Sequence, residues 1–381
     1  MTSRLPFCIK PPVAVEIERV DLMSLWNLYV GGLTEDVWHY HPRPPEDATI
    51  PARGIETFIY DDSVGSVVHQ ETTAGDLFSP QHLIEHPNLP VIYAAEFARP
   101  GRLISFMIHP NGHLERQSTT QTNGNLAICA AIHPNGTRAY VGHLGDGAIA
   151  TIPLDRSGRI DEDAAFSTIR NGSGTKIHHL VVTPSGDALI ATDFGRDEIT
   201  CYSLDSAGEI RTSFKTKVRF PDDCSPRQID LHPSGKYAYV VGIGDSHLYV
   251  LECTNFHPRR IVGKHSVTAP ALMDSSSVAE TSLHADGRRL FVGIRGADRI
   301  AVFHLSASGF VENKYEVSSF GKSPRSVKVD PSGKFLFVAN WHSNQVRIFD
   351  GAGGGAVLTS KQAVEIPSPS SFAFSKRRLH N

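Results

Sequence analysis

SPRSVKVDPSGKFLFVAN, residues 323–340, is the stretch whose reading decides the fold. Its first part, SPRSVKV at 323–329, alternates as a strand with one covered face does. PSG at 331–333 is a hairpin turn, in which proline presets φ and glycine accepts a positive φ. FLFVA at 335–339 is apolar throughout, as expected of a strand covered on both faces. QVRIF at 345–349 then alternates again as a third strand.

The phrase recurs along the chain. Its turn reads HPN at 86–88, HPNG at 133–136, TPSG at 183–186, HPSG at 232–235, HADG at 284–287 and DPSG at 330–333. The turn proline, or Ala285 in its place, falls at 87, 134, 184, 233, 285 and 331, giving steps of 47, 50, 49, 52 and 46 residues. A period near fifty built from short strands predicts a β-propeller, because one such unit cannot bury both faces of its sheet alone. Third strands such as HLYVL at 247–251 and RIAVF at 299–303 complete the scheme.

The ends supply the missing unit. NLYVGGL at 27–33 and the run at 55–60 read as second and third strands with no inner strand upstream. SPSSFAF at 368–374 repeats the pattern of 323–329 at the other end. The expectation is an all-β, seven-bladed propeller closed by a C-terminal strand that completes blade 1, which removes free sheet edges. Residues 1–24 read as an N-terminal extension, and 25–381 as the propeller. Residues 34–54 form an unusually long connection inside blade 1, and connections above about 12–15 residues are often functional.

Composition narrows the function classes. The chain has 381 residues, 40% of them apolar, and a net charge of −3, which leaves no basic footprint for nucleic acid or a membrane surface. No window approaches the roughly 18 uninterrupted apolar residues of a membrane span, and the first residues lack a secretory apolar region. The five cysteines (Cys8, Cys129, Cys201, Cys224, Cys253) are scattered and form no CxxC pair, which points to reduced thiols. A cytoplasmic protein acting on a small molecule is expected, with no nucleic acid or membrane partner and no cofactor or metal; its oligomeric state stays open.

Strand direction locates the site. Six residues before each turn proline an inner strand begins, at Gln81, Ile128, His178, Arg227, Ala279 and Arg325, with Ser370 as the C-terminal equivalent. The second strands finish at the same end of the ring with Thr34, Glu96, His143, Asp193, Ile243, Arg295 and Asn340–Trp341. These positions are chemically diverse, whereas the turn ends are monotonous, so the site is expected at this channel mouth. The long loop leaves a second strand there and forms a candidate lid carrying Trp38, His39, Tyr40 and His41.

SPRQIDLHPSGKYAYV at 225–240, the stretch at 323–340, and HHLVVTPSG with DFGRDEI at 178–186 and 193–199 resemble the seven-bladed β-propeller lactonase family. That family includes bacterial propeller-type 6-phosphogluconolactonases and fungal carboxy-cis,cis-muconate lactonizing enzymes, and the resemblance runs from about residue 26 to 375. It implies a lactonase-type hydrolase and places His178, Arg227 and Arg295 around the substrate. The chain departs from the family at Gly242–Ile243, where an Asn-Glu pair is usual, and at His143–Leu144, where Asn-Tyr is usual.

Lactone hydrolysis needs a polarised carbonyl, a home for the oxyanion and a base for water. Arg227 and Arg295 suit the oxyanion, where one aimed donor is typically worth ~10²–10³ in rate; with Arg325 they also suit a substrate carboxylate or phosphate. The competing reading is inter-blade salt bridging. His178 is the first candidate for proton transfer, with His179 expected on the opposite face; His143 is a substitute for the absent blade 5 carboxylate. Glu96, Glu280, Gln81, Asp193 and Trp341, with the loop residues Trp38, His39 and His41, are candidate substrate contacts. His86, His133, His232 and His284 recur before the turns and read as architecture. His39, His41 and His82 lack a completing carboxylate pattern for a metal. Hydrolysis of a small acidic or sugar-derived lactone is thus expected. The alternatives are a cycloisomerase closing a carboxylated diene and a non-catalytic propeller scaffold.

Overall fold

The computed structural model describes residues 25–34, 50–73, 75–354 and 357–377. Seven four-stranded antiparallel sheets are arranged as blades, each running outward from its innermost strand. The innermost strands of blades 2 to 7 are Pro80–Glu85, Ala127–Ile132, Ile177–Val182, Pro226–Leu231, Ser277–Leu283 and Pro324–Val329. In blade 1 that place is taken by Pro369–Lys376, which pairs with Leu25–Gly32 in a register setting Phe372 opposite Val30. The propeller and its closure are as expected. The fourth strands, such as Ile210–Arg219, are largely exposed and left little apolar pattern to read.

Packing between blades holds the ring. Ile190 and Ile199 of blade 4 share one buried cluster with Val240 and Tyr249 of blade 5, and the other clusters bridge blades in the same way. The turn histidines add a polar tether. Nε2 of His86, His133, His232 and His284 donates to the carbonyl of Gly136, Gly186, Gly287 and Gly333, respectively, at 3.0–3.2 Å. Their Nδ1 atoms lie against backbone N–H groups of their own turns, so each ring bonds at both nitrogens; in His86, His133 and His232 this puts the proton on Nε2, whereas His284 Nδ1 also lies 2.7 Å from Asp286 Oδ1. These four are architectural.

One irregularity repeats in every blade. The ladder between inner and second strands skips Gln81, Ile128, His178, Arg227, Arg325 and Ser370, and in blade 6 it skips both Ala279 and Glu280. Each is a β-bulge, which breaks the alternation of side chains and re-aims the extra residue. In five blades a residue at positive φ stands two places earlier: Ser79, Leu126, Ser225, Ser323 and Ser368. It turns the chain into the strand just before the bulge.

Candidate active site

The bulge residues Gln81, Ile128, His178, Arg227, Glu280 and Arg325 line one side of a cavity of about 630 Å³ in the central channel. From this tier the cavity runs toward the hairpin turns, reaching Pro184, Ala285, Pro331 and Ser332. Those four residues are exposed, so the cavity is open at the turn end. The sequence expectation placed the opening at the other end, where the second strands finish. At that end Leu33, Phe97, Leu126 and Trp341 are buried members of one apolar cluster with Ile128 and Ile177. They fill the mouth beside blades 7, 1, 2 and 3.

Three guanidiniums act on one another here, those of Arg227 and Arg325 in the cavity wall and that of Arg295 beside it. Arg325 of blade 7 donates to Gln81 Oε1 of blade 2 at 2.6 Å and lies over the Trp341 ring, 5.2 Å from its centroid. Arg295 donates to the Val278 carbonyl at 3.4 Å, and its Nε is buried without a partner among the described residues. Arg227 is buried, with its carbonyl taking the Thr192 hydroxyl at 3.0 Å; its guanidinium makes no ion pair or hydrogen bond among the described residues. Gln81 Nε2 is likewise a buried donor without a partner among the described residues. The carboxylate that acts on all three arginines is Glu280.

Burial, reinforced by mutual repulsion, lowers Arg295 to about 9 and Arg325 to about 10, and burial lowers Arg227. All three remain cationic at neutral pH. Burial first, then the charges of Arg227 and Arg325, hold His178 well below the ordinary imidazole range. Its ring, 5.9 Å from that of Phe194, is therefore neutral near pH 7. A neutral imidazole can accept or donate one hydrogen bond, but it is not a proton reservoir.

Several expected residues stand elsewhere. His143 is fully buried in blade 3, with Nε2 bonded to Thr122 Oγ1 at 2.7 Å and Nδ1 to the Ala148 carbonyl at 2.9 Å. It cannot substitute for the absent blade 5 carboxylate, because both nitrogens are occupied inside the blade. Glu96 is buried against Arg102 and takes the Phe78 N–H at 2.8 Å. Asp193 takes the N–H groups of Lys176 and Gly195 at 2.9 and 3.1 Å. Both carboxylates fasten the entry to their own inner strand and do not line the cavity. Trp341 lies under Arg325 and is not part of the cavity wall. Trp38, His39 and His41 lie outside the described residues.

The bulge also overturns the expected orientation of His179. Because the alternation breaks at His178, His178 and His179 both line the cavity. The same break brings His82 in beside Gln81. Closer to the turn end of the channel stand Asp230 and Lys328, each three residues beyond a bulge residue on its inner strand. Sequence reasoning missed this second tier; the shared offset from Arg227 and Arg325 was the signal available.

Comparison with known proteins matches the chain, over residues 27–374, to the model of the family described as lactonase, 7-bladed β-propeller. It is 24% identical over 333 residues to the 6-phosphogluconolactonase of Bacillus subtilis, covering 84% of this chain and 93% of that protein. It is 22% identical over 270 residues to that of Erwinia tasmaniensis, covering 71% and 79%. The periplasmic gluconolactonase PpgL of Pseudomonas aeruginosa superposes with a TM-score of 0.79 at 24% identity, over 92% of this chain and 99% of that one. With the blades, the closure and the family model in agreement, the chain belongs to the seven-bladed β-propeller lactonase family.

Proposed function

We propose that the chain hydrolyses a sugar-derived lactone at the bulge tier, and that Arg227, Arg295 and Arg325 bind the reacting carboxyl end. The carrying observation is the imbalance of charge and donors there: three guanidiniums and the Gln81 amide face one carboxylate, with several donors unpartnered. Such a site suits an acceptor-rich group that becomes more negative as it reacts. Glu280 takes a proton from water as the water oxygen bonds to the lactone carbonyl carbon. The carbonyl electrons move to the oxygen held by the guanidiniums. When the ring C–O bond breaks, the leaving oxygen takes the proton back from Glu280, giving a hydroxy acid and the enzyme in its starting form. His178, neutral, orients the water or the ring oxygen by a hydrogen bond. The guanidiniums take the part that a metal ion plays in other hydrolases.

The four described cysteines are buried free thiols, which suits a reducing compartment, and we place the reaction in the cytosol. The test is proton release, followed with a pH indicator, on aldonolactones, their phosphates and muconolactones. Wild-type acid production above the spontaneous rate, falling at least about a hundredfold in Glu280→Gln and in Arg227→Ala, is expected. Full turnover by both variants would overturn the assignment. Silence across the panel, with conjugated muconates consumed instead, would replace hydrolysis with cyclisation.

A further inference from the structure

We propose that Cys201 is a site of reversible S-thiolation by an anionic low-molecular-weight disulfide, with His257 as the base that serves it. The site lies on the outer strands of blades 4 and 5, apart from the channel, and is independent of the lactonase reading.

Blade 4 departs from the internal repeat at its turn. The stretch reads TPSGD at 183–187, where four other blades read HPNGT at 133–137, HPSGK at 232–236, HADGR at 284–288 and DPSGK at 330–334. The tethering histidine is replaced by threonine, and an acid follows the glycine. Asp187 Oδ1 accepts the hydroxyls of Thr183 and Ser185, each at 2.6 Å. That leaves Oδ2 to accept the Nε2–H of His257 at 3.0 Å. A tight hairpin of blade 5, with Asn255 and Phe256 both at positive φ, delivers His257 to this place. A carboxylate only accepts, so the neutral ring carries its proton on Nε2 and keeps Nδ1 as an acceptor. Nδ1 stands against the Cys201 thiol, 3.9 Å from Sγ. Thiol, imidazole and carboxylate are thus in the order that activates a nucleophile.

Irregular pairing makes room beside them. Strand Glu198–Leu204 sets Tyr202 opposite Lys215 but Ser203 opposite Arg211, so Thr212, Ser213 and Phe214 bulge out of the ladder. Ser213, Phe214, Lys215 and Thr216 join Cys201 and His257 around a surface cavity of about 330 Å³. Cys201 is itself buried, and this cavity is the route to it. Arg259, skipped in the ladder between Pro258 and Arg260, brings a second positive charge to the thiol's surroundings. The two flanking strands, Ile210–Arg219 and His257–Ser266, contain no acidic residue. Lys217, Arg260 and Lys264 pair with acids of the neighbouring strands, whereas Lys215 and Arg259 form no ion pair among the described residues. The cavity therefore suits a ligand that carries carboxylates.

Burial, then the charge of Asp187, raises the Cys201 thiol to about 11. It is protonated at neutral pH, so attack needs a base beside it. His257 Nδ1 takes the proton as Cys201 Sγ bonds to one sulfur of the disulfide. The S–S bond breaks, and the leaving thiolate takes the proton from His257. Cys201 is oxidised to the mixed disulfide, the leaving sulfur is reduced to a thiol, and excess free thiol reverses the exchange. Cys129, Cys224 and Cys253 are buried as well, and none of them bonds a histidine among the described residues.

The folded full chain is incubated with glutathione disulfide, and each cysteine is followed by peptide mass mapping. Wild type is compared with Cys201→Ser, His257→Gln, Asp187→Asn and Lys215→Glu. Cys201 should gain a glutathionyl group faster than Cys129, Cys224 and Cys253, at a rate that falls at least about tenfold in His257→Gln and less in Asp187→Asn. Lys215→Glu should lower the preference for glutathione disulfide over the neutral 2-hydroxyethyl disulfide by about threefold or more. Cys201 left unmodified in the folded wild type overturns the proposal, as does a rate unchanged or raised in His257→Gln. An unchanged preference in Lys215→Glu overturns the anionic ligand. A thermal melt verifies that each variant is folded; if His257→Gln is not, Asp187→Asn decides the role of the base by the same criterion.

Discussion

The guanidinium of Arg325 reaches from blade 7 past blade 1 to the amide oxygen of Gln81 in blade 2, 2.6 Å away. It can do so because blade 1 places only Ser370 at the equivalent bulge, and that small side chain turns back onto the Gly31 carbonyl. The contact spans 244 positions of sequence and fixes one of the three cationic groups of the site.

Gln81→Leu should therefore act as a positioning change. Arg325 keeps its charge and its place over Trp341 but loses its polar anchor, so kcat is expected to fall about tenfold with a smaller change in KM. A double variant with Arg325→Ala should cost little more than Arg325→Ala alone. Additive losses in the double-mutant cycle would show that the two residues act separately.

Lowering the pH should destabilise the fold through the channel histidines. Burial holds His82 down to about 4 and His179 down to about 3, against about 6.5 when unfolded. Between those values the unfolded chain binds protons that the folded one refuses, so stability is full above about pH 6.5 and is lost as the pH falls. The loss is at most about 1.4 kcal/mol per pH unit for each histidine, reduced by cavity water. Denaturant melts of wild type and His179→Phe between pH 7 and 4.5 measure it, and the variant should show the shallower slope. Parallel slopes would show that His179 is not the group responsible.

The turn tether predicts a stability change without a functional one. His133→Ala removes the bond to Gly186 of the next blade and leaves backbone groups of its own turn unpaired. The expected cost is about 1–3 kcal/mol, read as a lower Tm, with activity per folded molecule unchanged. A comparable loss in turnover at temperatures where the variant is folded would contradict the architectural role.

Closure depends on the last inner strand. Phe372 is buried with Phe337 and Tyr60 between blades 7 and 1. Phe372→Ala should cost about 3–5 kcal/mol. Removing residues from 369 onward should expose the edge of Leu25–Gly32 and drive association, visible by light scattering. A monodisperse truncated chain would show that the ring does not need this strand.

The local pattern of the chain determined the blades, their number, the closure by residues 368–374 and the role of the turn histidines. Each is encoded within about fifty residues and repeated, so internal comparison separates architecture from the rest. The offset from the turn proline even located Gln81, His178, Arg227 and Arg325. What only the tertiary structure decided is which polar groups share the cavity. A bulge is invisible in an alternating pattern, and it turns His179 and His82 toward the channel; the double bulge of blade 6 makes Glu280, not Ala279, the channel residue. Glu96, His143 and Asp193 sit at equivalent sequence positions to Arg295, yet find partners inside their own blades. That choice rests on which neighbours lie within hydrogen-bonding distance, and those neighbours meet only once the strands and the entry of each blade have folded together.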